Sequence, residues 1–288
     1  MRRQVDLFLE LGKVRISSLA TISMITGYVL AYGGVSLVLA GMVVGVFLIA
    51  CGSATINHIQ ERDIDGRMQR TKGRPLPSGR ISVRYAWAVA TLALTAGFML
   101  ILTVSNGTVM SLGLLAVFWY NLVYTPLKRM TAFAAVPGGL IGAIPPIMGW
   151  VAAGGAIFDP RILAVAFFFF MWQVPHFWLL LLFSCGRDYE LAGLPSLTRL
   201  FTMDQIARVT FVWIFAAAVT CLVIPLFGII SNMWINVGLI AAGAWMVFRS
   251  LRILREPWRM ISFRLAFKQI NVFVCWIIAL LSVNGILA

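Results

Sequence analysis

Nine long, uninterrupted apolar runs constrain this chain more than any other feature. They lie near 16–35, 36–56, 82–104, 107–125, 134–155, 161–183, 208–230, 232–248 and 268–287. Each is close to the roughly 20 residues that a helix needs to cross a hydrocarbon core about 30 Å thick. The runs are continuous rather than alternating, which excludes a transmembrane β-barrel. Hydrophobic residues make up 61% of the chain and charged residues 11%, against about 25% charged in a soluble domain. Too few charges remain to cover a water-facing surface. The expected fold class is therefore all-α: a polytopic integral membrane protein of about nine transmembrane helices, read as a single domain over 1–288. No small-residue cleavage site follows the first run, so it is expected to stay as a helix rather than leave as a signal peptide.

A net charge of +13 would ordinarily raise the question of nucleic acid, but position answers it. With nine spans, one face receives the N-terminus and the loops after spans 2, 4, 6 and 8. Every Lys and Arg except Arg161 falls there, as does every Asp and Glu except Asp159. That asymmetry follows the positive-inside rule. The expected orientation is N-terminus cytoplasmic and C-terminus outside, in the cytoplasmic (inner) membrane of a bacterium, with the lipid bilayer and no nucleic acid as partner. The four cysteines, Cys51, Cys185, Cys221 and Cys275, have no C-x-x-C spacing and are expected as small apolar side chains in or near helices. Residues 1–15 read either as a short interfacial helix or as a charged lead-in to span 1.

The outer loops are tiny, whereas the cytoplasmic loops at about 57–80 and 184–207 are long and polar. Function is disproportionately carried on loops, so the chemistry is expected at the cytoplasmic mouth. The two loops follow spans 2 and 6, an offset consistent with two parallel four-helix repeats plus a ninth helix.

The first loop opens with Asn57-His-Ile-Gln-Glu61-Arg-Asp63-Ile-Asp65. If span 2 continues as a helix, Asn57, Glu61 and Asp65 fall at i, i+4 and i+8 and share one face. Two carboxylates and an amide oxygen suit Mg²⁺, which is commonly held by one or two carboxylates plus substrate phosphates. Asp63 falls off that face. Arg70, Lys72 and Arg74 follow in a Gly/Pro-rich loop, a plausible cradle for a diphosphate. At the end of span 4, Lys128 and Arg129 can reach the same phosphates and Tyr124 can line the mouth. The alternative for all these bases is topology alone, with the acids merely pairing with the arginines.

Span 6 carries Trp172-Gln173-Val-Pro175-His176-Phe-Trp178. Gln173 and His176, at i and i+3, are expected on one face, beside a proline that removes a backbone hydrogen bond. An ionisable side chain at membrane depth is a candidate functional group. His176 can be an axial ligand to a metalloporphyrin, a hydrogen-bond donor to substrate, a proton carrier, or only a helix–helix bond. The surrounding aromatics can shelter a carbocation by cation–π contact or simply face lipid. Beyond span 6, Asp188 and Tyr189 give a thinner acidic signal, with Asp188 a further oxygen for a metal.

These residues resemble the UbiA superfamily of intramembrane prenyltransferases. Asn57-x3-Glu61-x3-Asp65 is similar to that superfamily's first acidic motif, N-x3-D-x3-D. Arg62-Asp-Ile-Asp65-x2-Met68-x-Arg70-Thr71-x2-Arg74-Pro75-Leu76, Trp172-Gln-x-Pro-His-Phe-Trp178 and Asp188-Tyr189-x2-Ala192-Gly193 resemble its heme-modifying branch. Glu61 stands where the family usually has Asp, and His58 where Asn or Asp is frequent. Lys13-Val14-Arg15 lacks the proline common between those bases.

The resemblance implies a UbiA-like helical bundle with Asn57, Glu61, Asp65 and Asp188 as catalytic and metal-holding residues. It implies Mg²⁺ as the metal, farnesyl diphosphate as donor and heme b as acceptor. Arg70, Lys72, Arg74, Lys128, Arg129, Tyr124, Gln173, His176 and Tyr189 would line the substrates, with His176 toward the heme. Heme A synthase or terminal-oxidase assembly proteins are possible partners. Other readings stay open: a quinone precursor or another tetrapyrrole as acceptor, a transporter, or an oxidase assembly factor.

Overall fold

The computed structural model describes residues 2–182 and 186–287, so Cys185 lies outside the described residues. Within them no strand occurs, and nine helices are long and apolar enough to cross a membrane. A short N-terminal helix α1 (Arg2–Leu11) leads into α2 (Val14–Tyr32), α3 (Leu37–Asp65), α4 (Val83–Val104) and α5 (Gly107–Leu127). There follow α6 (Ala135–Ala152) and α7 (Pro160–Leu180), then the short α8 (Gly186–Leu191) and α9 (Leu197–Leu200). The last three spans are α10 (Met203–Phe227), α11 (Met233–Arg255) and α12 (Met260–Leu287).

Three helices run further than the apolar runs imply. α3 continues nine residues beyond 56, to Asp65; α11 ends at Arg255 rather than 248; and α12 starts at Met260 rather than 268. Hydropathy falls where charges begin, but Arg, Lys, Glu and Gln are good helix formers, so the backbone does not stop there. At about 1.5 Å per residue the 29 residues of α3 span about 43 Å. That exceeds a hydrocarbon core of about 30 Å and carries the acidic face clear of the bilayer.

Close crossings hold the spans together. A Cβ on Gly149 of α6 would lie 1.9 Å from the Met24 carbonyl oxygen of α2, and one on Gly27 would lie 1.9 Å from that of Pro146. No side chain fits at either position, so the two backbones touch, as small residues permit in membranes where packing rather than water drives association. α3 and α4 approach similarly at Gly97, whose Cβ would meet the Gly45 carbonyl at 2.8 Å. α2 also packs on α3 and α12, while α7 is flanked by α6, α10 and α12.

Candidate active site

α2, α3, α5, α6 and α7 enclose a cavity of about 340 Å³, with its charged residues at one end. That size falls at the lower end of small-molecule sites. The α3 face expected from spacing forms as a continuous helix. Glu61 and Asp65 both line the cavity, and Asn57 is fully buried beside it.

A ladder between α3 and α5 sets the position of Asn57. Asn121 Nδ2 donates to Ser53 Oγ at 2.6 Å, Asn57 Nδ2 donates to Thr125 Oγ1 at 2.9 Å, and Lys128 pairs with Glu61. The rungs fall every fourth residue on α3, so one face is stitched along its length. On the α5 side the register is carried by a π-helical turn, Trp119–Tyr124, a distortion frequent at functional sites. It leaves the Asn121 carbonyl to accept from Gln60 Nε2 at 2.9 Å. With its amino group held by Thr125, Asn57 presents Oδ1 to Lys13 Nζ at 2.5 Å.

Lys13 has the only positive φ, 44°, among the described non-glycine residues. Such a conformation costs on the order of 1 kcal/mol or more and is kept where the surroundings enforce it. Here it turns the chain from α1 into α2 and carries the ammonium over Asn57. Burial lowers the Lys13 pKa to about 7, with Glu61 opposing the shift and Lys128 and Arg74 adding to it.

The loop after α3 alternates in and out. Thr71 is buried and its hydroxyl donates to the Asp65 carbonyl at 2.9 Å, and Arg74 Nη1 pairs with Asp65 Oδ2 at 2.6 Å. Lys72, on the turn closed by its own N–H to the Met68 carbonyl at 2.9 Å, is exposed and outside the cavity lining. Lys72, expected in the cradle, thus stands outside the cavity lining, as does Asp188, whereas Lys13 is part of it. Lys13, Arg70, Arg74, Lys128 and Arg129 then face Glu61 and Asp65 across the mouth, an excess of positive charge suited to a polyanion. Asp63 is exposed beside Arg62, as its off-face position implies.

The two polar loops meet. Asp188 Oδ2 accepts from the Arg70 backbone N–H at 3.0 Å, and Met68 packs on Ala192 and Leu194 with Ile64 and Tyr189 alongside. Met68, Tyr189 and Leu194 form part of the cavity rim. Beneath the charges, Tyr124 stacks between Tyr120 and Phe177 at centroid separations of 5.8 and 5.7 Å. A Cβ on Gly138 would come within 2.7 Å of the Tyr124 ring, so glycine there makes room for the stack.

Gln173 lines the cavity and His176 does not, which corrects the expectation of a shared face. Three residues of helix leave a side chain about 60° short of a full turn, four only about 40° beyond it. The cavity face therefore continues from Gln173 to Phe177, while His176 packs on Trp172 and Phe267 toward α12. Asn271 of α12 is the polar side chain beside the His176 ring. Trp172 and Trp178 are likewise outside the lining. Trp172 Nε1 donates to the Ile270 carbonyl at 2.9 Å, and Trp178 meets Trp213 edge-on. The aromatic side chains that line the cavity are Tyr120, Tyr124 and Phe177, with Tyr189 at the rim. Sequence reasoning missed Lys13, Tyr120 and Thr125 as site residues. Two of them carried a signal: Lys13 stands in the Lys13-Val14-Arg15 segment of the resemblance, and Tyr120 lies one helical turn before Tyr124.

The donors suit a hard cation shared with a substrate. Asn57, Glu61 and Asp65 offer few oxygens along one face, and among the described residues no cluster of three or more His, Cys, Asp or Glu forms a closed protein cage. Mg²⁺ is typically bound in that sparse manner, its remaining positions filled by phosphate oxygens and water.

Comparison with known proteins identifies the fold and the family. The chain is 33% identical over 278 residues to a protein of Oleidesulfovibrio alaskensis named protoheme IX farnesyltransferase, covering 96% of this chain and 95% of that one. Its fold matches a solved digeranylgeranylglyceryl phosphate synthase with a TM-score of 0.80 at 17% identity, over 99% and 100% of the two chains. It also matches a UbiA homolog from Archaeoglobus fulgidus bound to GPP and Mg²⁺, with a TM-score of 0.66 at 16% identity over 98% and 100%. The model of the UbiA prenyltransferase family matches residues 20–278. The chain is an integral membrane protein and belongs to the UbiA prenyltransferase family.

Proposed function

We propose that this protein transfers a farnesyl group from farnesyl diphosphate to a vinyl group of heme b, with addition of water, yielding heme O. The observation that carries the reading is a mouth of five basic side chains and two carboxylates directly above an apolar cavity. That is the shape of an allylic diphosphate, with an anionic head and a hydrocarbon tail. The name of the Oleidesulfovibrio alaskensis relative supplies the acceptor.

Asn57, Glu61, Asp65 and Asp188 are the residues that would hold Mg²⁺. The ion would supply charge neutralisation for the departing diphosphate. Lys13, Arg70, Arg74, Lys128 and Arg129 bind the remaining phosphate oxygens and stabilise the negative charge as the allylic C–O bond breaks. The bonding pair leaves with the diphosphate. The stacked rings of Tyr120, Tyr124 and Phe177 form the aromatic wall that shelters the allylic cation, and the apolar walls keep water from it. The vinyl π electrons then form the new C–C bond. Water captures the resulting cation on the heme side chain and loses a proton. Gln173, on the cavity side of α7, and His176, one turn on toward α12, are the residues proposed to meet the tetrapyrrole.

The orientation proposed is N-terminus cytoplasmic in a bacterial inner membrane, because the basic residues gather on that face. Heme A synthase and oxidase assembly proteins stand as proposed partners, as consumers of the product.

The test is incubation of detergent-purified protein with heme b, farnesyl diphosphate and Mg²⁺, alongside tubes with EDTA or with a phenolic acceptor. A heme adduct that vanishes with EDTA is expected. Prenylation of the phenol alone would move the acceptor to a quinone precursor, and no product from folded protein would overturn the enzyme reading.

A further inference from the structure

The cavity has a floor as well as a mouth. At the end remote from the charges it is bounded by Val46 of α3, Gly113 of α5 and Met148 of α6. A Cβ on Gly113 would meet Phe98 at 3.1 Å, Met148 Cε at 3.4 Å and Ile49 Cδ1 at 3.6 Å. The floor is thus already closely packed, and glycine is what leaves it as low as it is. Immediately below, α2 and α6 touch backbone to backbone at Gly27 and Gly149, so the tail cannot continue between those two helices.

We propose that Val46, Gly113 and Met148 form a ruler that sets the prenyl chain at three isoprene units. The proposal rests on the reading of the cavity as the prenyl diphosphate site. From Asn57 to Val46 is eleven residues of unbroken α3, or about 16 Å at 1.5 Å per residue. The twelve main-chain carbons of a farnesyl group and its ester oxygen extend about 15 Å, taking bonds of about 1.5 Å in a zigzag. Two isoprene units leave about 6 Å of the depth empty, and four overrun the floor by about 4 Å, on the same bond lengths. The three floor residues come from three different helices, so the depth belongs to the tertiary packing. Met148 is the adjustable element: its unbranched side chain can be truncated without moving a backbone, and Ala there lowers the floor by about one isoprene unit.

The experiment measures displacement of labelled farnesyl diphosphate from the purified full chain by unlabelled two-, three- and four-unit diphosphates with Mg²⁺, for wild type, Met148→Ala and Gly113→Leu. Wild type is expected to prefer three units. Met148→Ala is expected to shift the four-unit to three-unit affinity ratio by about tenfold toward four units. Gly113→Leu is expected to shift the three-unit to two-unit ratio about as far toward two. If Gly113→Leu fails to fold, Met148→Ala decides alone. Farnesyl diphosphate bound by wild type with the Met148→Ala ratio unchanged would overturn the ruler and leave the site standing. A wild type that binds none of the three diphosphates would overturn the site itself, and the ruler with it.

Discussion

Replacing Thr125 with Val keeps the shape of the side chain and removes its hydroxyl, which isolates what the α3–α5 ladder does for Asn57. The hydroxyl accepts from Asn57 Nδ2 at 2.9 Å and donates to the Tyr120 carbonyl at 2.8 Å. Thr125 and Asn57 are both almost wholly buried, so water cannot take the place of the lost oxygen. An amide N–H left unsatisfied in that setting costs about 1–3 kcal/mol. If the amide rotates to recover a partner, Oδ1 turns away from Lys13 and from the diphosphate site. If it stays, the site carries the penalty. Expressed in the transition state at about 1.4 kcal/mol per decade, the loss is about 5- to 150-fold in kcat/KM. The assay is initial-rate farnesyl transfer to heme with Thr125→Val and Thr125→Ser, beside their thermal unfolding in the same detergent. Thr125→Ser keeps the hydroxyl and is expected to restore most of the rate. A Thr125→Val protein that is folded and as active as wild type would refute the positioning argument.

Three further outcomes follow from the same geometry. Glu61→Gln and Asp65→Asn each remove one of the two carboxylates at the mouth and are expected to lower turnover by about 100-fold or more in single-turnover assays; near-normal rates would point to a non-catalytic protein. Gly149→Val forces a side chain onto the Met24 carbonyl of α2. Because a backbone atom cannot rotate aside, the protein is expected to lose more than the roughly 1–3 kcal/mol usual for overpacking, seen as a sharply lowered melting temperature or loss of folded yield. Glu10→Ala breaks the exposed pair with Arg80 at 2.8 Å and is expected to change stability by less than about 1 kcal/mol, with turnover unaltered in the same assays.

The spans were legible because continuous apolar length is a local property, and Glu61 and Asp65 were legible because helical periodicity is too. What escaped is what only packing decides. Span 2 ends at 56 by hydropathy and at Asp65 by backbone, since charged residues leave the bilayer without leaving the helix. Gln173 and His176 share a face on a coarse helical wheel, yet the cavity between α6 and α7 is narrow enough for the 60° between them to separate them. Lys72 and Arg74 are equivalent as basic residues in a loop, and the buried Thr71 hydroxyl on the Asp65 carbonyl decides which of them turns inward. Lys13 is distant in sequence from every other site residue, and a left-handed backbone turn brings it to Asn57. No spacing rule anticipates that contact. The resemblance of the motifs to the UbiA superfamily pointed to the right family, while the floor of the cavity had no sequence signature at all.

The most direct measurement of the central claim is the mass of the porphyrin product formed from heme b and farnesyl diphosphate in water enriched with heavy oxygen. The account predicts a single adduct carrying one farnesyl group and one labelled hydroxyl, formed only with Mg²⁺ present. A farnesylated heme without the label would contradict the water-capture step, and unmodified heme alongside intact folded protein would contradict the assignment of the reaction.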